Sequence, residues 1–165
     1  MRECAAKVSD VSTPASVLDD VRSLAARYRG QPEKVIQVVR EAQALSNNGA
    51  PLDVARVIGE EMGVPVSKIY DIATFYSFLS VKPRGKNIIR ICRSAPSHAR
   101  GCQEVIDAFK KILGIELGET TLDGKFTLET CECLGICHLS PSVMINKTVH
   151  GHLSPEKVPA LLNKY

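Results

Sequence analysis

Five of the six cysteines of this 165-residue chain fall between residues 92 and 137, at positions 92, 102, 131, 133 and 137. Thiols gathered over so short a stretch point to metal binding or redox chemistry in a reducing compartment, where structural disulfides are rare. Any fold for this chain must therefore bring loops from that stretch together. Hydrophobic content of 44% with 24% charge is enough to form a core. Aromatics make up 5% and Trp is absent, so that core is built from Val, Ile, Leu and Ala.

Ahead of the cysteines the pattern is helical. Val17, Val21, Leu24 and Tyr28 follow helical spacing, and Gly30 can end that helix. Pro32 suits the first turn of a second helix carrying Val35, Ile36, Val39 and Ala42. A third runs from Pro51 to Met62, with Leu52, Ala55, Ile58 and Met62 on one side and Gly63 as its stop. A fourth follows Pro65, with Ser67 as its cap and Ile69, Ile72, Ala73 and Tyr76 facing inward. Helices joined by short loops make a small bundle over residues 1–82. The aromatic patch 74–78 is expected to turn at least one ring into a core.

Pro83 and Gly85 punctuate the chain, and the periodicity changes there. NIIRIC at 87–92 reads as a β-branched strand, and 98–113 as a helix with Val105, Ile106, Phe109 and Ile112 inward. Asp123-Gly124 marks a turn before a strand at 126–132; SVMIN at 142–146 is another strand, followed by a turn and a short final strand. Ser154-Pro155-Glu156 starts a last helix. The order strand–helix–strand–strand–strand–helix over 83–165 describes an α/β sandwich, so the whole chain is α+β.

Other function classes find little support. Net charge is +3, and the cations form no block, which leaves no nucleic-acid footprint. No apolar run approaches the ~18 residues of a membrane span, and MRECAAKVSD has no long apolar core after Arg2. Direct membrane insertion is therefore not expected, and a cytoplasmic location is. GVPVSK and GKNIIR are not phosphate-cradling glycine loops, so the chain is not expected to bind NAD or FMN by itself.

The cysteines fall in two groups, Cys92 with Cys102, and Cys131, Cys133 and Cys137. Gly135, between two of the thiols, lets backbone amides turn toward sulfur, and such hydrogen bonds tune reduction potential. Two ligand loops at one end of a sheet can clamp a flat 2Fe–2S rhomb. A structural zinc held by Cys92, Cys131, Cys133 and Cys137 is the competing metal, although Cys-x-Cys-x3-Cys is not a common zinc spacing. Cys4 reads as a bystander thiol; His98 and His138 flank the cysteine loops and read as surface residues, as do His150 and His152.

The stretch TFYSFLSVKPRGKNIIRIC, then CLGICHLSPSVMIN and HGHLSPEKV, closely resembles the thioredoxin-like 2Fe–2S subunit of NADH dehydrogenases. Relatives of that family sit in NAD(P)-linked hydrogenases, some of them electron-bifurcating, and in formate dehydrogenases. The resemblance runs from about Val17 to the C-terminus. It implies a helical bundle at 1–82 followed by a thioredoxin-like 2Fe–2S domain at 83–165. It also implies an electron-transfer subunit, non-catalytic alone, whose partners are an FMN- and NAD(P)-binding flavoprotein subunit and a larger iron–sulfur subunit.

The family pattern, Cys-x4-Cys then Cys-x3-Cys, carries the cluster ligands onto Cys92, position 97, Cys133 and Cys137. Three match, and position 97 is serine. A Ser97 alkoxide would keep the loop geometry as a harder ligand. Cys102 and Cys131 are the substitutes for a fourth ligand: the first needs the loop after 97 to unwind, and the second lies two residues from Cys133 on the same strand face. A clusterless subunit that only braces the assembly is the alternative that Ser97 motivates.

Overall fold

The computed structural model describes residues 13–165, and Cys4 lies outside them. The chain divides into two compact units between Pro83 and Arg84.

The first unit is helical: α1 (Ala15–Ala26), α2 (Val35–Leu45), α3 (Leu52–Met62) and α4 (Val66–Phe75). Pro32 opens a 3-10 turn, Pro32–Lys34, that feeds α2. Gly63 ends α3 with a φ of 68°, the left-handed cap that a side chain would disfavour. Val21, Ala25, Val38, Val39, Ala42, Val54, Ile58 and Ile69 are shut from solvent and form an aliphatic core. Gln43 is buried yet satisfied: its amide donates to the Phe78 carbonyl at 3.1 Å and accepts from Ser80 N–H at 2.8 Å. It ties α2 to the segment after α4.

Three details differ from the helical periodicity. Leu52 is exposed, because it opens α3 while the buried face passes through Val54, Val57 and Ile58. Ser67 does not cap α4: the helix begins at Val66, so the non-helical position ahead of it belongs to Pro65. Tyr76 packs on the helical core, whereas Phe75 is 81% exposed and Phe78 also faces solvent.

The second unit contains β1 (Asn87–Cys92), α5 (Ala95–Ala99), α6 (Cys102–Leu113), β2 (Phe126–Cys131), β3 (Val143–Ile145), β4 (Thr148–His150) and α7 (Val158–Leu162). Its sheet has the order β2-β1-β3-β4, parallel between β1 and β2 and antiparallel elsewhere. A parallel pair needs a long crossover, and α6 lies within it. Ile89 and Ile91 of β1, Leu128 of β2, and Val143 and Ile145 of β3 form one core with Val105, Ile106 and Phe109 of α6 and Val158, Leu161 and Leu162 of α7.

The helix expected over 98–113 is two helices. Gly101 takes a φ of 82° between α5 and α6 and breaks the run, and Ile112 is left half exposed. His150 is not a free surface group, since its Nε2 lies 2.9 Å from the Tyr165 hydroxyl. Arg84, between Pro83 and Gly85, has its side chain largely buried and paired with Glu129, which Arg90 also approaches at 3.4 Å. Among the described residues no helix is long and apolar enough to cross a membrane.

The register places the site. Cys92 at the end of β1 stands opposite Cys131 at the end of β2. The loops that follow the two strands therefore leave the sheet at the same end.

Candidate metal centre

Beyond β1, Ser94 occupies the position before α5, and Pro96 in the first turn favours that short helix. The turn brings Ser94 Oγ to 3.2 Å from Cys92 Sγ and buries Ser97 completely. Burial alone would push the Cys92 thiol up. Hydrogen bonds from the Ser94 and Ser97 hydroxyls and from the Ser94 and Leu134 main-chain N–H groups outweigh it and bring the thiol down to about 7. Cys92 is thus held close to its thiolate form, the form that binds metal.

Beyond β2, Cys133 lies in the loop and not on the strand, which ends at Cys131. Gly135 has a φ of 77°, a left-handed turn that aims its N–H at Cys133 Sγ, 3.3 Å away. The chain then enters a 3-10 turn, Cys137–Leu139, with Cys137 Sγ 3.7 Å from Cys133 Sγ. Two thiolates on one tetrahedral ion, with metal–sulfur bonds of about 2.3 Å, stand about 3.8 Å apart. The Cys137 thiol is raised, first by its hydrogen bond to Cys133 and then by the charge there, with burial and Cys92 adding to the effect. Like charges so close repel, and a cation between them would reverse that repulsion.

The remaining candidates are placed differently. Ser97 Oγ is 3.0 Å from Ser140 Oγ in a buried hydroxyl pair. Cys102 opens α6 and is buried, which pushes its thiol up, with the Cys92 charge adding and Arg93 opposing. Cys131 is half-buried, and burial followed by the neighbouring Cys92 charge pushes it up to about 11. Both are poorer thiolate donors than Cys92. His98 and His138 are exposed. Among the described residues no three His, Cys, Asp or Glu side chains close around a single ion. A two-iron rhomb takes its ligands two to an iron; Cys133 and Cys137 stand as one such pair, and Cys92 is the low-pKa thiol beyond the neighbouring strand.

Three residues around the thiols were not singled out from the sequence. Ser94 had a signal, a serine followed two residues later by Pro96, the signature of a short helix start. Ser140 and Arg100 had none, because their partners lie 43, and 37 and 38, residues away.

The chain is similar to known proteins. The model of the family described as thioredoxin-like [2Fe-2S] ferredoxin covers residues 21–165. The NADP-reducing hydrogenase subunit HndA of Solidesulfovibrio fructosivorans is 33% identical over 79% of this chain and 76% of its own length. An NADH-quinone oxidoreductase subunit of Escherichia coli strain K12 is 37% identical over 80% and 77%. Its counterpart in Rickettsia bellii is 31% identical over 96% of both chains. Among solved structures, an air-oxidized NAD+-reducing [NiFe]-hydrogenase matches 79% of this chain with a TM-score of 0.68 at 19% identity. That match spans 22% of the hydrogenase chain and speaks to fold alone.

Proposed function

Because this chain belongs to the thioredoxin-like [2Fe-2S] ferredoxin family, we propose that it is the small electron-transfer subunit of a multi-subunit NAD(P)H-linked oxidoreductase. Its partners are a flavoprotein subunit that holds FMN and the nicotinamide nucleotide, and a larger iron–sulfur subunit. The names of the relatives support the assembly, since they are subunits of an NADP-reducing hydrogenase and of NADH-quinone oxidoreductases. A bound 2Fe–2S cluster supplies one-electron storage, whereas flavin exchanges hydride with a nicotinamide.

In this chain Cys133 and Cys137 hold one side of the centre, and Cys92 with the Ser97 oxygen the other. The observation that carries this reading is the 3.7 Å separation of the Cys133 and Cys137 sulfurs. The Gly135 N–H stabilises negative charge on Cys133, and the Ser94 hydroxyl does the same for Cys92. Cys92 and Ser97 are shielded from water, while Cys133 faces it. The test is anaerobic purification of the chain with its co-purifying subunits, followed by iron and acid-labile sulfide analysis. Two irons and two sulfides per chain are expected, and near-zero iron where partner clusters survive would remove the electron-transfer role.

One observation favours a second reading, a clusterless subunit that braces the assembly. The Ser97 hydroxyl is already satisfied by Ser140 in a neutral, buried pair and needs no metal. Iron and sulfide content separates the two readings, and Ser97→Cys tests the fourth ligand of the first. With Ser97 at the metal, the variant gains a fourth thiolate, loses iron to a chelator about tenfold more slowly, and has a higher midpoint potential. Unchanged spectra and lability would place Ser97 away from the metal, leaving Cys102 or Cys131 to be replaced next.

A further inference from the structure

We propose that Arg100 is the positioning residue of this centre, clamping the loop of the second cysteine pair onto the segment of the first and setting the potential; this rests on the cluster reading above. Arg100 follows α5, and Gly101 after it takes the left-handed turn that starts α6. From there one guanidinium nitrogen, Nη1, donates to the main-chain carbonyls of Cys137 at 3.1 Å and His138 at 3.3 Å. Those carbonyls belong to the 3-10 turn that carries the Cys137 sulfur. The clamp therefore joins the segment containing Ser97 to the turn containing Cys137, two parts of the site supplied by different strands.

Two effects follow from the chemistry of the group. A forked donor shared between successive carbonyls fixes the orientation of the turn, and with it the direction of the Cys137 side chain. The guanidinium also keeps its charge at every accessible pH. It sits on the carbonyl of a ligand residue, where it favours the more negative, reduced state of the centre and so raises the midpoint potential. Arg100 is exposed and has no part in the apolar core.

The experiment uses the full chain, loaded anaerobically with iron and sulfide, as the parent, Arg100→Gln and Arg100→Lys. Midpoint potential is read by redox titration, and iron release by transfer to a chelator. In Arg100→Gln the potential moves to more negative values and release quickens about tenfold. Arg100→Lys restores the potential because it restores the charge, but restores slow release only in part because its freely rotating ammonium lacks the planar, fixed N–H geometry of the guanidinium. A potential in Arg100→Gln equal to that of the parent overturns the proposal, whatever the release rate. Parent protein that takes up no iron overturns the cluster reading and this proposal together, which separates the two failures.

Discussion

Cys133→Ala is expected to bring the iron of anaerobically prepared protein down more than tenfold relative to the parent, to about background. Loss of a residue that merely orients a ligand weakens metal binding by about 10–100-fold, so loss of a ligand sulfur should exceed that. The substitution also removes the acceptor of the Gly135 N–H and the partner of Cys137 Sγ at 3.7 Å. Cys133 is exposed, so the metal-free variant should melt with the metal-free parent, to within about 0.5 kcal/mol. Iron and sulfide analysis beside thermal unfolding of both apo forms reads the two quantities separately. Full iron retention would mean that another group completes that side of the site, with Cys131 the first to replace.

Phe109→Ala carries the largest expected cost in stability. Among the described residues Phe109 is the bulkiest fully buried side chain, and it sits on α6 within the core formed by Ile89, Ile91, Leu128 and Val143. Its removal deletes a ring and leaves a cavity that the surrounding strands fill only partly, a cost of about 3–5 kcal/mol. For a unit of this size that is a large share of the total, and it corresponds to a melting temperature lower by more than about 10 °C. Ile112→Ala on the same helix is the comparison. Ile112 is half exposed, and its replacement should cost less than about 1 kcal/mol. Urea unfolding of the two variants checks the contrast, and equal losses would mean that α6 presents a different face.

How much of this was legible beforehand depends on how local the cause was. The strand at 87–92, the helix stop at Gly63 and the turn before Phe126 follow from near-neighbour chemistry, and each stands where the pattern put it. The break at Gly101 was missed because the apolar spacing of α6 runs on smoothly in sequence, and only the positive φ at Gly101 divides the run from α5. The burial of Arg84 has no local signal, because its partner, Glu129, lies 45 positions on and becomes a neighbour only through the parallel pairing of β1 with β2. The thiols were legible as a group, since their type and crowding are sequence properties. The hydroxyls and the arginine around them were not, because a serine or an arginine has many ordinary uses and only the fold selects one.

The register of Cys92 against Cys131 has a consequence for how such a protein matures. The proposed ligand groups, carried beyond the ends of two adjoining parallel strands, meet only when those strands are aligned to the residue. A slip of one position would carry Cys133 and Cys137 about 3.3 Å along the axis and turn the face of every side chain on the slipped strand. On the ribosome, Cys92 emerges about forty residues ahead of the loop it needs, so inorganic iron and sulfide would find no receptacle on the growing chain. With Cys92, Cys133 and Cys137 as the proposed ligands, insertion of the cofactor is expected after the sheet has closed.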